Sequence, residues 1–195
     1  VIYGGTREAI DDVRFIANES SGATGVSLCK EAFIQGGEVL VWRSSHSLKH
    51  QLPLTDHVFT SHADLMNESK HIDADIVLVP AAISDFGVKP KEGKLSSSQP
   101  VDLTLTPHGK VLDAISSKIV AFKAVSKVSD IEMVERATKL LSEKVLLVVA
   151  NDVSNAGRSH GRYAFVTRDH VHWYEGSKDG MSRELLRRAY KCLEE

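Results

Sequence analysis

The stretch FIANESSGATGVSLCKEAFIQGGEVLVW, residues 15–42, places a loop of serines and glycines before an amphipathic run and a short apolar segment. This pattern predicts a helix over 22–35 and a strand over 38–42. Small residues at a helix start let backbone N–H groups approach an anion, which the positive end of the helix dipole also favours. Gly22 and Gly25 equally have the spacing of glycines that let a helix pack tightly on a strand. Phosphate binding and close packing are therefore both open interpretations of the loop.

The alternation of apolar runs and amphipathic segments continues along the whole chain. Short runs rich in valine and isoleucine suit strands that are buried on both faces. These predicted strands cover 1–3, 38–42, 76–80, 119–124 and 145–150. The predicted helices cover 22–35, 62–71, 111–117, 131–143 and 181–193. Strand and helix alternating in this way predict an α/β fold of three layers, with a mostly parallel sheet between helices on both faces.

Two segments depart from this rhythm. Residues 86–107 begin as a polar loop and end in the alternating sequence VDLTL, which predicts a flap followed by an extra strand. Residues 163–175 predict a hairpin that turns at Arg168 and Asp169. No stretch has the composition of a linker, so we expect a single domain over 1–195. The chain starts on the tail of a strand, and we expect a few residues to precede Val1.

Composition and charge limit the classes of ligand. The 24 basic and 26 acidic residues form no basic block, which disfavours nucleic acid and leaves a small molecule or a protein as the ligand. Cys29 and Cys192 lie far apart in helical patterns, so they predict neither a disulfide framework nor a metal knuckle. No apolar run reaches about 18 residues, the length of a membrane span. We expect a cytoplasmic location without membrane association.

The residues that directly follow the predicted strands are the first candidates for a site. In an open parallel sheet, ligands bind beyond the carboxyl ends of the strands, where the strand order reverses. Gly4 and Gly5 follow the first strand, and Arg7 and Arg14 offer forked donors that match phosphate or carboxylate. A turn with two solvated arginines is the alternative. Asp85 follows the third strand and suits a ligand hydroxyl, a base edge or a metal-bound water. A helix N-cap or an Asx turn is the alternative.

Three further features can each be interpreted either as part of a ligand site or as ordinary structure. Lys89, Lys91 and Lys94 lie on the flap, where they form either a lid over a polyphosphate or a solvated connection. Phe122 suits a base-stacking platform or the core. The sequence ANDVS, residues 150–154, ends a buried strand and suits ligand contact or an Asx turn.

Several familiar sites are not indicated. The loop lacks the Gly-Lys-Ser/Thr ending of a P-loop, and no acid follows the strand over 38–42 to bind a ribose hydroxyl, as a dinucleotide fold requires. Arg43 keeps open the hypothesis of an NADP-dependent reductase. His170 and His172 share one strand face but have no third metal ligand at suitable spacing. No G-x-S-x-G elbow or Cys-His pattern indicates a covalent nucleophile.

Taken together, four segments resemble the motifs of phosphopantothenoylcysteine synthetase. GGTREAIDDVRFIANESSGATG, AAISDF, EGKL and ANDVS occur in the same order and at similar spacing over nearly the whole chain. The resemblance implies a Rossmann-like α/β fold, a homodimer and a ligation in two steps. CTP or ATP, with Mg²⁺, would activate the carboxylate of 4'-phosphopantothenate as an acyl-nucleotide. The amine of cysteine would then displace the nucleoside monophosphate.

The resemblance also implies roles for individual residues. It assigns the nucleotide phosphates to Gly4, Ser20, Gly22 and Gly25, and the nucleoside to Phe122 and Asn151. The substrate-side residues that it implies are Asn18, Ala81, Ala82 and Asp85, with Asp85 also next to the nucleotide. Arg14 would reach the pantothenate phosphate across the dimer, and Lys94 would be the flap lysine. Asn18 and Lys94 would act in catalysis, whereas no residue is implied as a metal ligand.

Some segments depart from the family pattern. Bacterial members have Phe-Ala-Ala-Glu-Thr where this chain has FKAVS, and Asn-Pro-Asp-Ile near HGKVL. Bacterial members have a second lysine in the flap, which is replaced in the segment GKLSS of this chain. Ser96–Ser98 lie where further lysine is expected. FK is similar to the ATP-using eukaryotic type and ANDVS to the CTP-using bacterial type, and we favour CTP. A non-catalytic nucleotide-binding module stays open as a further alternative to the reductase and the ligase.

Overall fold

The computed structural model describes residues 1–155 and 160–194 as twelve strands and five α-helices. The first six strands are β1 Ile2–Tyr3, β2 Arg7–Ala9, β3 Phe15–Ala17, β4 Leu40–Ser44, β5 Thr55–Phe59 and β6 Ile76–Val79. The others are β7 Phe86–Gly87, β8 Thr106–Pro107, β9 Lys118–Val125, β10 Val145–Asp152, β11 His160–Val166 and β12 Val171–Ser177. The helices are α1 Ala23–Ile34, α2 His62–Ser69, α3 Val111–Ala114, α4 Asp130–Thr138 and α5 Lys178–Glu194.

A central sheet, mostly parallel, forms the middle layer. Strands β5, β4 and β1 pair in parallel, as do β6, β9 and β10. A parallel bridge between Gly5 and Ala82 joins these two groups next to β1 and β6. The chain then adds β11 and β12 antiparallel at the far edge. The strand order is therefore β5-β4-β1-β6-β9-β10-β11-β12, and it reverses between β1 and β6.

Helices cover both faces of the sheet, as the sequence predicts. Helices α1 and α5 pack on one face, where Leu28 and Leu185 are fully buried. Helices α2, α3 and α4 pack on the other face around Leu65 and Met133. Strands β9 and β10 are buried on both sides, which explains their nearly continuous apolar sequence. The prediction of a three-layer Rossmann-like fold is confirmed. No helix in the described part of the chain is long and apolar enough to cross a membrane.

Side-chain hydrogen bonds reinforce the junction between β1 and β6. The Thr6 hydroxyl donates to Ser84 Oγ at 2.9 Å and accepts from the Ser84 backbone N–H at 2.9 Å. Ala82 N–H donates to the Gly4 carbonyl at 2.8 Å. Thr6 is fully buried, so water does not reach this junction. The Thr6 hydroxyl therefore provides the hydrogen-bonding partner for both the Ser84 N–H and the Ser84 hydroxyl.

The extra strand predicted at 101–105 is wrong. The flap, residues 86–107, is closed at its base by the two-residue pairing of β7 with β8. Residues 101–105 form no strand and leave Val101, Leu103 and Leu105 about half exposed. An alternating sequence becomes a strand only where a neighbouring strand offers hydrogen-bonding partners, and among the described residues this segment pairs with no strand.

Other differences concern short elements and ends. The sequence did not predict the hairpin β2–β3 or the edge strand β5, whose sequence TDHVF is largely polar. Helix α3 ends at Ala114 and α4 at Thr138, three and five residues before the predicted ends. The hairpin β11–β12 is longer than predicted and turns over residues 167–170, around the predicted Arg168 and Asp169.

We predict that Thr6→Val lowers the free energy of unfolding by about 1–3 kcal/mol. Valine keeps the volume but leaves the buried Ser84 N–H and hydroxyl without their partner. Urea denaturation of wild type and variant measures the change. Ser45→Ala is the control, because it removes an exposed hydroxyl pair with Thr60 and should change stability by only a few tenths of a kcal/mol. Equal stability of all three proteins would contradict this account of the junction.

Candidate functional site

An open cleft of about 1550 Å³ extends from the start of α1 and the carboxyl ends of β6, β9 and β10 to the segment that precedes β10. It brings together residues from distant parts of the chain. Eight of the twelve predicted site residues line it: Asn18, Ser20, Gly22, Ala81, Ala82, Asp85, Phe122 and Asn151. The other four, which are Gly4, Arg14, Gly25 and Lys94, do not line it. The cleft lies beside the point where the strand order reverses, as expected for this sheet.

The loop before α1 forms one wall of the cleft. Gly22 has the left-handed backbone conformation, with φ of 79°, that turns the chain into the helix. No side chain at this cap position satisfies the first helical N–H groups, apart from Ser21 Oγ, which accepts from Ala23 at 3.3 Å. Asn18 Nδ2 donates to the Ile83 carbonyl at 3.3 Å and so ties the loop to the segment after β6. A helix start and an amide therefore lie on the same wall.

Close packing accounts for Gly4 and Gly25. A Cβ on Gly25 would lie 2.2 Å from the Tyr3 side chain, because α1 packs directly on β1. A Cβ on Gly4 would lie 2.5 Å from Ser44 Cβ, and its φ of 95° also favours glycine. These two glycines allow the helix and strands to approach one another. Their predicted phosphate contacts remain a prediction.

Gly5 has a similar role nearer to the site. A Cβ at this position would lie 2.6 Å from the Asn18 backbone oxygen. The absence of a side chain on Gly5 thus lets the Asn18 loop lie directly over the β1–β6 junction. The sequence pattern showed a glycine pair after the first strand but did not show which loop it admits.

Asp85 lies at the mouth of the cleft and forms an ion pair with Lys110. Both side chains are more than half exposed, so water screens the pair and it contributes little to stability. Lys110 was not among the predicted site residues, although it also lines the cleft. Its only signal in the sequence was its position in HGKVL, one of the segments that depart from the family pattern.

Phe122 and Asn151 also line the cleft. They lie on the adjacent parallel strands β9 and β10, where Phe122 pairs with Val149 and Asn151 with Ala124. Phe122 is partly exposed, as a base-stacking ring requires. The neighbouring Asp152 instead accepts backbone hydrogen bonds from Ser154 and Lys127, so this residue forms the Asx turn considered for ANDVS.

Arg14 lies outside the cleft and contacts the middle of the flap at Leu95. Its guanidinium donates to Asp11 Oδ2 at 2.9 Å and to the Leu95 carbonyl at 3.1 Å, and its side chain is still 40% exposed. The Asp11 carboxylate also accepts from three backbone N–H groups, those of Val13, Arg14 and Leu95. Lys94 is adjacent to this contact and exposed to solvent. Hydrogen bonds thus join the flap to the β2–β3 loop, and Lys94 is not among the residues that line the cleft.

Arg43 is committed to a structural ion pair. Its Nε donates to Asp56 at 2.8 Å, and its side chain is only 14% exposed. His50 also contacts Asp56, at 2.6 Å. Burial alone would raise the pKa of Asp56, but hydrogen bonds from Arg43 and His50 lower it. Arg43 is therefore poorly available for the 2'-phosphate of NADP.

Within residues 1–155 and 160–194, no group of three or more His, Cys, Asp or Glu residues could hold a metal ion. His172 contacts Glu184 at 3.7 Å rather than forming a site with His170.

The chain was compared with protein families and known proteins. The sequence pattern of the family described as "DNA/pantothenate metabolism flavoprotein C-terminal domain" matches residues 1–193. The chain is 32% identical over 203 residues to the coenzyme A biosynthesis bifunctional protein CoaBC of Methanocaldococcus jannaschii, covering 99% of this chain and 50% of that protein. It therefore spans about half the length of this relative.

Two solved structures share the fold. The DNA/pantothenate metabolism flavoprotein from Streptococcus pneumoniae superposes with a TM-score of 0.87 at 25% identity, covering 97% of this chain and 96% of that chain. A mutant of Cab2 in complex with phosphopantothenate-cysteine superposes with a TM-score of 0.81 over 98% of this chain and 86% of that chain. Its identity is 18%, so this likeness concerns the fold alone.

We predict that Asp11 contributes to stability in a pH-dependent way. Burial alone would raise its pKa, but the three backbone N–H groups and Arg14 outweigh this effect and lower the pKa from 3.8 to about 2. A lowered folded-state pKa stabilises the fold above about pH 4, and this contribution is lost as the pH falls toward 2. The stability difference between wild type and Asp11→Asn should therefore shrink between pH 4 and pH 2.

Denaturation at a series of pH values measures this difference. Asp73→Asn is the control, because Asp73 is exposed on the loop between α2 and β6. A difference for Asp11→Asn that is constant over this range would show that Asp11 does not hold the flap as a carboxylate.

Proposed function

This chain belongs to the DNA/pantothenate metabolism flavoprotein C-terminal domain family, and from this premise we propose that it is a phosphopantothenate–cysteine ligase. The reaction joins 4'-phosphopantothenate and L-cysteine to give 4'-phosphopantothenoylcysteine in coenzyme A biosynthesis. An acyl-nucleotide, formed from CTP or ATP, is the intermediate. The name of the CoaBC relative, which refers to coenzyme A biosynthesis, supports this proposal.

The observation that carries the proposal is the arrangement of the cleft. The start of α1, the Asn18 amide and the partly exposed Phe122 ring all line this one cleft. The helix start suits nucleotide phosphates, the ring suits a base, and the amide suits an acyl carbonyl. A ligase that passes through an acyl-nucleotide needs all three within one cavity.

In the first step, a carboxylate oxygen of 4'-phosphopantothenate attacks the α-phosphorus of the nucleotide. An O–P bond forms, the bond between the α-phosphorus and its bridging oxygen breaks, and pyrophosphate leaves. Negative charge develops on the phosphate oxygens, so catalysis depends on positive charge and on oriented N–H groups. We assign this role to the start of α1 and to Lys94, which must approach the cleft from its position on the flap.

In the second step, the amine of cysteine attacks the acyl carbon. The new C–N bond forms, the bond from the acyl carbon to the phosphate oxygen breaks, the nucleoside monophosphate leaves, and the nitrogen loses a proton. Asn18 can donate a hydrogen bond to the carbonyl oxygen without adding charge. Its present donation to Ile83 at 3.3 Å is weak and can be exchanged for the substrate. Positioning and electrostatics then suffice, and no covalent nucleophile is needed.

Mg²⁺ with CTP or ATP completes the proposed set of reactants. The described residues offer no protein cage for the ion, which fits a cation bound mainly by the triphosphate and water. When bound, such an ion would neutralise phosphate charge.

We propose a homodimer in the cytoplasm as the working form. Val101, Leu103 and Leu105 lie on the flap and are each more than 40% exposed, which suits a surface covered by a second copy. The partly exposed Arg14 contacts Leu95 on the same flap and can reach a neighbouring site. Two widely separated cysteines suit a reducing compartment.

The NADP-dependent reductase is disfavoured because Arg43 is buried against Asp56. A non-catalytic nucleotide-binding module has the same cleft, and activity alone distinguishes it from the ligase.

We predict pyrophosphate release from CTP or ATP that depends on 4'-phosphopantothenate. Addition of cysteine should then release the nucleoside monophosphate in equal amount. A coupled pyrophosphate assay and chromatography of the nucleotides measure the two products. A folded protein that binds nucleotide but releases neither product would be the non-catalytic module.

We predict that Lys94→Gln and Asn18→Asp stop the reaction at different steps. Lys94→Gln should slow pyrophosphate release about 100-fold, as expected for the loss of one charge that stabilises the transition state. Asn18→Asp should allow pyrophosphate release but leave the acyl-nucleotide to accumulate. Single-turnover experiments with and without cysteine separate the steps. Lys110→Gln is the matched variant: if it alone slows pyrophosphate release, Lys110 rather than Lys94 has the assigned role.

A further inference from the structure

A second, smaller cavity lies on the other side of the Asn18 loop. Its volume is about 360 Å³, and it lies between the hairpin β2–β3 and the end of β4. Asn18, Glu19, Ser20 and Ser21 line both this cavity and the large cleft. The two cavities therefore adjoin at this loop, next to the acyl carbonyl that we assign to Asn18.

The small cavity is lined by Arg7, whose guanidinium can still donate hydrogen bonds to a ligand. The Arg7 guanidinium lies 4.1 Å from the centre of the Phe15 ring. Among the described residues it forms no ion pair with any carboxylate. A guanidinium stacked on a ring keeps its N–H edge free to bind a carboxylate with two parallel hydrogen bonds.

The other groups of the small cavity select against a phosphate. Glu19 brings a carboxylate to the wall that it shares with the cleft, which repels a multiply charged anion and attracts an ammonium group. Ala17 and the 48% exposed Phe15 offer a small apolar surface. His46 stacks on Phe15 at 6.5 Å, and burial and the Arg7 charge hold the pKa of His46 below its ordinary value. A cation, an anion and an apolar surface together match a small zwitterionic amino acid.

We propose that the small cavity is the amino-acid subsite of the ligase, with Arg7 binding the carboxylate of cysteine. The amine then points toward Glu19 and Asn18 on the shared loop, and the thiol contacts the apolar surface beside Phe15. This inference rests on the proposed ligase function. Arg7 is thus a specificity-determining residue, because cysteine differs from its decarboxylated analogue cysteamine only in the group that Arg7 binds.

The experiment compares cysteine with cysteamine as the second substrate. Arg7→Gln should lower kcat/KM for cysteine by about 10- to 100-fold, the effect of losing a charge-assisted hydrogen-bonded pair. It should leave kcat/KM for cysteamine and the initial pyrophosphate release unchanged. Arg7→Lys, which keeps the charge and loses the fork, should give an intermediate preference for cysteine. Arg168→Gln, an exposed arginine on the β11–β12 turn, is the matched control and should change neither substrate.

The outcomes separate the two levels of the proposal. No pyrophosphate release from wild type would end the ligase function itself. Normal pyrophosphate release by Arg7→Gln with an unchanged preference for cysteine over cysteamine would overturn the subsite alone. A raised KM for 4'-phosphopantothenate without a change in this preference would also overturn it, because the cavity would then hold the pantothenate phosphate.

Discussion

The Thr6 hydroxyl exchanges hydrogen bonds with Ser84 across the gap between β1 and β6, 78 positions apart in the chain. These bonds and the Gly5–Ala82 bridge join two parallel groups of strands into one sheet at the point where the strand order reverses. Two chain segments leave the sheet here, toward the Asn18 loop and toward Asp85. The proposed chemistry needs these segments side by side, so the junction that completes the sheet also forms the site.

Glycines set how closely the layers approach at this junction. Because these glycines have no side chain, Tyr3 packs directly on α1 at Gly25, Ser44 lies close to Gly4, and the backbone of Asn18 lies close to Gly5. A methyl group at any of these positions would lie within 2.6 Å of its neighbour, so the loop and the helix start would have to move outward. The sequence of this loop allowed two roles for its glycines, close packing and lining of a ligand site, and the structure is compatible with both. Gly25 serves packing, whereas Gly22 turns the backbone that lines the cleft.

The parts of the fold that the sequence predicts are those whose signal is local. Strands β9 and β10 are apolar throughout because both faces are buried, and α1 and α5 show one apolar face. Strand β5 was missed because its sequence TDHVF lies at an edge of the sheet, where polar residues suit a strand exposed on one side. The VDLTL segment shows the opposite case, since a strand-like alternation has no partner strand in the described chain.

The same division holds for the candidate site. Residues that follow predicted strands, such as Asp85 and Asn151, were found by position alone and line the cleft. The partners that decide their availability are distant in sequence and could not be predicted: Lys110 pairs with Asp85, and Asp56 immobilises Arg43. The Arg7 cavity depends on three segments meeting in space, and only the structure shows that it shares a wall with the cleft.

The central claim is that the carboxylate of 4'-phosphopantothenate becomes bonded to the nucleotide phosphorus in this cleft. Substrate labelled with ¹⁸O in that carboxylate tests it most directly, with mass spectrometry of the nucleoside monophosphate released after addition of cysteine. The acyl-nucleotide intermediate predicts one ¹⁸O atom in the phosphate of each monophosphate. Product formation with unlabelled monophosphate would contradict it.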